Sequence, residues 1–367
     1  MIRTVFIVVI LLHGLIHLLG FAKAFGYAEL PQLSLPISRS LGALWFLAAL
    51  LLIATIAVIP LWPRWWWLLG GLALVVSQAV IVTSWGDAKF GTLANLLLLV
   101  GVLYGFASRG PGSLRAEYER HLHLAGSVTP ADVLTEADLA PLPEPVQRYV
   151  RLAGVVGQPR IRNFHATWKG RIRGGPTNPW MAFTAEQRNT LDPPRRFFKM
   201  DATMKGLPVD VLHAFDERGA TMRVKLLSVV SMVDAKGPEL TRAETVTLFN
   251  DLCLLAPGAL VSPRITWEPI DAHTARARFT LQANSIRAEL RFNDQGELID
   301  FASDDRSAGS PDGTTFTRMR WTTPMRDYAQ VGPARVATRG DAVWHPASGA
   351  YAYGEFELIS LAYNLGP

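Results

Sequence analysis

Cysteine is nearly absent from these 367 residues: Cys253 stands alone, which excludes an intrachain disulfide framework and any cysteine-rich metal site. Charge is scarce at one end. Residues 1 to 110 hold six of the 36 basic side chains (Arg3, Lys23, Arg39, Arg64, Lys89, Arg109) and two of the 31 acidic ones (Glu29, Asp87). The remainder balances 30 basic against 29 acidic residues, so the pI near 9.4 arises from an apolar segment and gives no ground for a nucleic-acid partner. Also missing are the G-x-S-x-G elbow, the phosphate-cradling G-x-x-x-x-G-K and any Cys-x-x-Cys. Neither a metal nor a cofactor is expected.

What is present is apolar length. Four runs, Thr4 to Phe21, Leu41 to Ile59, Trp65 to Trp85 and Thr92 to Ala107, would each span roughly 24 to 32 Å as helices, about the hydrocarbon thickness of a bilayer. Only helices cross that region with every backbone group satisfied, so residues 1 to 110 read as a four-helix transmembrane domain. The turn Pro60-Leu61-Trp62-Pro63-Arg64, followed by three tryptophans, reads as an interfacial hairpin. Arg3, Arg64, Arg109, Arg115 and Arg120 flank one face and Lys23, Arg39 and Lys89 the other, which favours both ends of the chain in the cytoplasm of a multi-pass cell-membrane protein.

Polar residues inside these runs are the sharpest local signal. His13 and His17 sit four apart on one helical face. By the helical rise His17 and Gln78 each lie about 20 Å from the inner end of their helices, and Asn95, Asp87 and Lys89 fall in the same outer half. These six residues are expected to form one polar cluster. Interhelical hydrogen bonding is its plainest use, with a proton or small-ligand site and a metal as the alternatives.

Residues 111 to 141 turn polar and proline-bearing and read as a juxtamembrane linker, with a short helix over Arg115 to His123. From 142 to 367 a β-rich soluble domain is expected. It opens with a helix from Glu144-Pro145 that Gly154 stops. Period-two alternation then dominates: Ile286, Ala288, Leu290, Phe292 against Arg287, Glu289, Arg291; Ala275, Ala277, Phe279, Leu281; and Phe198, Met200, Ala202, Met204. One-sided strands mean antiparallel sheet, about ten strands of it. A helix from Pro238 to about Leu255 breaks the pattern and, alone or with a second helix, would cover the concave face. The fold class is thus α+β: a four-helix transmembrane bundle, then a large antiparallel sheet or half-barrel with one or two covering helices.

At this point the segments LPEPVQRYVRLAGV (142 to 155), LPVDVLHAFDERGATMRVKLLSVV (207 to 230), GPELTRAE (237 to 244) and WEPID (267 to 271) resemble a widespread bacterial family known only as a domain of unknown function. HGLIHLLGFAKAFG (13 to 26) and SWGDAKFGTLANLL (84 to 97) resemble the four-helix region found in some of its members. The resemblance covers nearly the whole chain and implies no activity or catalytic residue. In architecture alone, such a sheet is similar to the half-barrel of bacterial lipoprotein carriers, which shelter acyl chains.

Two functions fit. In one, a concave apolar face lined by Phe198, Met200, Met204, Phe279, Leu290 and Trp321 takes a lipid or other amphiphile, with the bilayer as the chain's other partner. In the other, His213, Glu244 and Glu268 converge in the same cavity as a catalytic site; a cavity-free scaffold is the third possibility. The segment Arg195 to Lys199 reads as a solvated strand face, with anionic headgroups as its alternative contact. Oligomeric state is not readable.

Overall fold

The computed structural model describes residues 2–123 and 132–366, which form two compact units, Met1–Ala116 and Glu117–Pro367. The first contains α1 (Ile2–Ala24), α2 (Arg39–Leu61), α3 (Trp66–Thr83), the single turn α4 (Trp85–Ala88) and α5 (Gly91–Arg109). All but α4 are long and apolar enough to cross a membrane. Ser38 caps α2 by accepting the Leu41 N–H, which satisfies one of the donors a helix start leaves open. Glycine lets α1 and α2 approach closely: a Cβ at Gly20 would stand 2.2 Å from the Trp45 ring. Ile10, Leu52, Ala73 and Leu98, one from each long helix, meet with no exposure at all. Their outward neighbours, such as Leu12, Leu50, Leu72 and Val100, are exposed and apolar. A bundle apolar on its outside is suited to hydrocarbon rather than water.

Helix α6 (Leu114–His123) lies within the stretch expected to be a linker. Residues 124–131 of that stretch lie outside the described residues, but its end is core: Leu134 and Leu139 are buried in the second unit. The reason is local. Thr135 and Asp138 form a capping box that starts the turn α7 (Glu136–Leu139) and points Leu139 inward. Then α8 (Glu144–Leu152) carries Pro145 in its first turn and buries Val146, Tyr149 and Val150, with Gly154 at φ +72° just beyond its end.

Six strands follow as a meander: β1 (Asn163–Ile172), β2 (Met181–Leu191), β3 (Pro194–Met204), β4 (Leu207–Asp216), β5 (Gly219–Leu226) and β6 (Val230–Lys236). Helix α9 (Pro238–Leu255) comes next and leads into β7 (Ile265–Asp271), β8 (Thr274–Leu281), β9 (Asn284–Phe292) and β10 (Leu298–Ser303). A separate hairpin, β11 (Ser307–Gly309) with β12 (Phe316–Arg318), precedes β13 (Trp321–Thr322), β14 (Met325–Val331), β15 (Ala334–Trp344) and β16 (Tyr351–Tyr363).

The large sheet is antiparallel, in the order β6-β5-β4-β3-β2-β1-β16-β15-β13-β10-β9-β8-β7, with β14 on β15. Its fourteen strands exceed the ten or so expected, in part because β13 is two residues long and gives no alternation to read. The two edges are β6 and β7, and α9 is the chain that joins them. The sheet therefore curls around α9 as a half-barrel, and this helix is buried on nearly every side. Phe249 stacks on Phe279 at 5.0 Å and meets Phe301 edge-on at 5.7 Å. Two tyrosines close the helix end: Tyr149 donates to the Cys253 carbonyl (2.8 Å) and Tyr363 to that of Leu255 (2.5 Å). These are carbonyls that the last helical turn cannot satisfy itself.

Candidate functional site

A cavity of about 360 Å³ lies between α9 and the concave sheet. Trp168, Ile172, Phe198, Met200, Met222 and Phe356 supply an apolar wall; Leu240, Ala243 and Leu254 of α9 face them, and the β11–β12 hairpin lines it too. Alternation along β3 puts Arg196, Phe198 and Met200 on one face, so a charge arrives in the cavity together with its apolar neighbours.

That charge is matched inside. Arg196 Nε donates to Asp251 Oδ2 (2.6 Å) and Nη1 to Glu244 Oε2 (3.1 Å), with all three side chains nearly sealed from solvent. Gln187 and Asn189 also donate to Asp251, at 2.6 and 3.4 Å, and His213 Nδ1 lies 3.2 Å from Glu244 Oε1. Both carboxylates come from α9, about two turns apart on the face turned to β2, β3 and β4. Burial alone would raise the Glu244 carboxyl, but His213, Arg196 and Arg306 outweigh it and hold it at about 2. Burial pushes Asp251 the other way, upward, against the pull of Arg196. A carboxylate held that low is a poor general base at neutral pH.

Nearby, Arg306 lies over Trp321 (4.4 Å) and Trp344 (5.0 Å), donating to Thr247 Oγ1 (3.1 Å) and the Tyr353 hydroxyl (3.3 Å). Trp321 Nε1 donates to the same hydroxyl at 3.2 Å.

Of the residues expected to line a cavity, Phe198, Met200 and Trp321 do so. Phe279 and Leu290 do not: both are buried beneath α9, and Phe279 lines instead a smaller pocket of about 180 Å³ with Leu248 and Leu252. Met204, at the end of β3, packs against the neighbouring cluster of Phe183, Ala202 and Val209. His213 and Glu244 meet, whereas Glu268 does not join them. It sits on the edge strand β7, exposed, and bonds Arg276 across to β8 at 3.3 Å. The Arg195 to Lys199 segment is no solvated face: Arg196, Phe197, Phe198 and Lys199 are all buried. The cause is cover on both faces, since His121 of α6 stacks on Phe197 at 4.1 Å from the side opposite the cavity.

In the first unit four of the six expected polar residues come together. His17 Nδ1 donates to the His13 carbonyl (3.0 Å), which leaves Nε2 to accept from Ser77 Oγ (3.0 Å). Asn95 donates to Gln78 Oε1 (3.0 Å) and accepts at Oδ1 from His13 Nε2 (3.0 Å), and Gln78 donates to Thr92 (3.3 Å). In this arrangement the one Ser77 proton goes to His17, and His13 Nε2–H is shared between Ser77 Oγ and Asn95 Oδ1. Asp87 and Lys89 stand outside it because α3 ends at Thr83. Asp87 instead holds a loop through Ser34 (2.7 Å) and the Leu35 N–H (2.8 Å), and Lys89 lies over Phe90. Ser77 was not foreseen; a lone serine in an apolar run carries no signal of its own.

The sequence profile described as "Family of unknown function (DUF6544)" matches residues 132–356. No protein of curated function matches the chain significantly. Among solved structures, one that resembles it is a domain named for outer-membrane lipoprotein sorting from Vibrio parahaemolyticus. That match has 10% identity, covers 56% of this chain and 87% of the other, and has a TM-score of 0.33. Another is a DUF1329 family protein from Desulfovibrio piger, at 12% identity, 62% and 95% coverage and a TM-score of 0.27.

Proposed function

The chain belongs to that family of unknown function, membership of which brings no activity, and we propose from the site itself that the β-rich unit binds a lipid or other amphiphile within its half-barrel. The observation that carries this reading is the cavity: about 360 Å³, walled by Trp168, Phe198, Met200, Met222 and Phe356, with a polar floor. Volume near the low end of small-ligand sites suits one alkyl chain with its head rather than a two-chain phospholipid. Catalysis by His213 and Glu244 is the weaker alternative, because both Glu244 oxygens are engaged and its carboxyl is held at about 2. The polar network of the helical unit reads as structural, three of its four ring nitrogens being taken up by Ser77, Asn95 and the His13 carbonyl.

Filling the cavity tests the reading. Ala337 lines it and is only partly buried, so Ala337→Trp has room to enter without displacing core atoms. Lipid extracted from the purified full chain and weighed by mass spectrometry should fall at least several-fold in this variant at an unchanged unfolding midpoint. Equal lipid content in both would sink the proposal.

The four long helices act as the anchor in the same reading, with both ends of the chain in the cytoplasm on the five-to-three count of flanking cations. A C-terminal alkaline phosphatase fusion should then be inactive and a C-terminal fluorescent-protein fusion bright; the reverse pattern would put the β-rich unit on the other side.

A further inference from the structure

Four arginines line the cavity, and they are not equivalent. Arg196 is neutralised by two carboxylates, and Arg339 reaches Asp327 (3.7 Å) and Glu357 (3.6 Å). Arg173 donates to the backbone carbonyls of Ala352 (2.8 Å) and Pro176 (2.6 Å). Arg306 hydrogen-bonds neutral groups only, Thr247 and Tyr353; the Glu244 carboxylate acts on it through space while being hydrogen-bonded by Arg196, and among the described residues the Arg306 Nη2 makes no hydrogen bond. The acid beside it, Asp305, is taken by Arg242 (2.9 Å), Arg318 and the Arg287 N–H (2.7 Å). Two indoles, from residues paired across β13 and β15, hold the guanidinium carbon over their rings, which leaves Nη2 as the donor still open.

A guanidinium fixed in this way inside an apolar cavity is built for an anion: planar donors match a carboxylate or phosphate in a bidentate fork, and the low-dielectric wall strengthens the pair. We propose that the amphiphile carries an anionic head, a carboxylate or a phosphate, and that Arg306 binds it while the alkyl chain lies along Phe198, Met200 and Phe356. The proposal rests on the cavity being a ligand site and adds the chemical class of the ligand.

The test is equilibrium binding of radiolabelled decanoate, decyl phosphate, decanol and inorganic phosphate to the full chain in phosphatidylcholine nanodiscs, with empty nanodiscs subtracted. Decanoate and decyl phosphate should bind at least tenfold more tightly than decanol, and inorganic phosphate should not bind where decyl phosphate saturates. Arg306→Met should erase that tenfold preference and leave decanol affinity unchanged, while Arg306→Lys keeps part of it. Decanol binding as well as decanoate, or an Arg306→Met protein that retains the preference, would overturn the assignment of the head while leaving the cavity reading intact. Inorganic phosphate binding as tightly as decyl phosphate would make this a site for a free anion and overturn the amphiphile. If no probe binds the unaltered chain, both readings fail. The comparison of probes on the unaltered chain stands even if a variant does not fold.

Discussion

Full-length protein carrying Arg196→Met unfolds with about 3–5 kcal/mol less free energy than the parent in a urea titration followed by tryptophan fluorescence. The loss follows from what remains behind. Glu244 and Asp251 sit on a buried helix, and without the guanidinium that donates to both of them two carboxylates lose their shared cation in a sealed interior. Removing the charges together tells a different story: the triple variant Arg196→Met, Glu244→Gln, Asp251→Asn should recover most of the loss, because an ion cluster replaced whole leaves nothing unpaired. A single variant within about 1 kcal/mol of the parent would mean that the cluster is relaxed by water and does not shape the floor of the cavity.

Acid should undo the same cluster from the other side. The Glu244 carboxyl is held at about 2 in the fold against an ordinary glutamate value of 4.5, so the unfolded chain takes up its proton first. Its contribution is complete above about pH 4.5 and disappears as the pH falls toward 2, a change on the order of 3 kcal/mol. Asp251 acts with the opposite sign: burial raises its carboxyl, so acid relieves rather than costs there. Other carboxyls held low, such as Glu117, add a common background that a comparison of variants removes. Urea midpoints measured from pH 5 to pH 2.5 should therefore drop more steeply in the parent than in Glu244→Gln. Parallel slopes would show that Glu244 is not held down by its neighbours.

How much of this was legible in the residues follows from what each signal reports. Period-two alternation reports a strand with two different faces, and it located β8 and β9 well because their outer sides meet solvent. It misled at β3, where both faces are covered and charged side chains find partners far along the chain: Arg196 meets acids 48 and 55 positions away. Nothing local announces such a pair. A clue did exist in α9, where Asn250 and Asp251 interrupt Leu248, Phe249, Leu252 and Cys253. Polar residues on an otherwise apolar helix mark a buried network, and Asp251, Arg196, Gln187 and Arg306 were the residues missed. The apolar runs were legible in extent, since each forms a helix long enough to cross a bilayer, but Asp87 was misplaced because depth along a helix says nothing of where the helix ends.

The pairing of β1 with β16 has a consequence for how the molecule is made. The two strands are neighbours in the sheet but their paired residues are 182 to 199 positions apart in the chain, and β16 lies near the middle of the sheet, not at its rim. During synthesis the meander β1 to β6 closes on itself hairpin by hairpin, whereas its union with the rest waits for the final strand to leave the ribosome. Until then β1 presents an open backbone edge, a template for pairing with any other extended segment. A truncation from Tyr351 onward would accordingly not trim a margin. It would leave two disconnected sheets, each with a raw new edge, tethered only by the helix that was meant to lie between them.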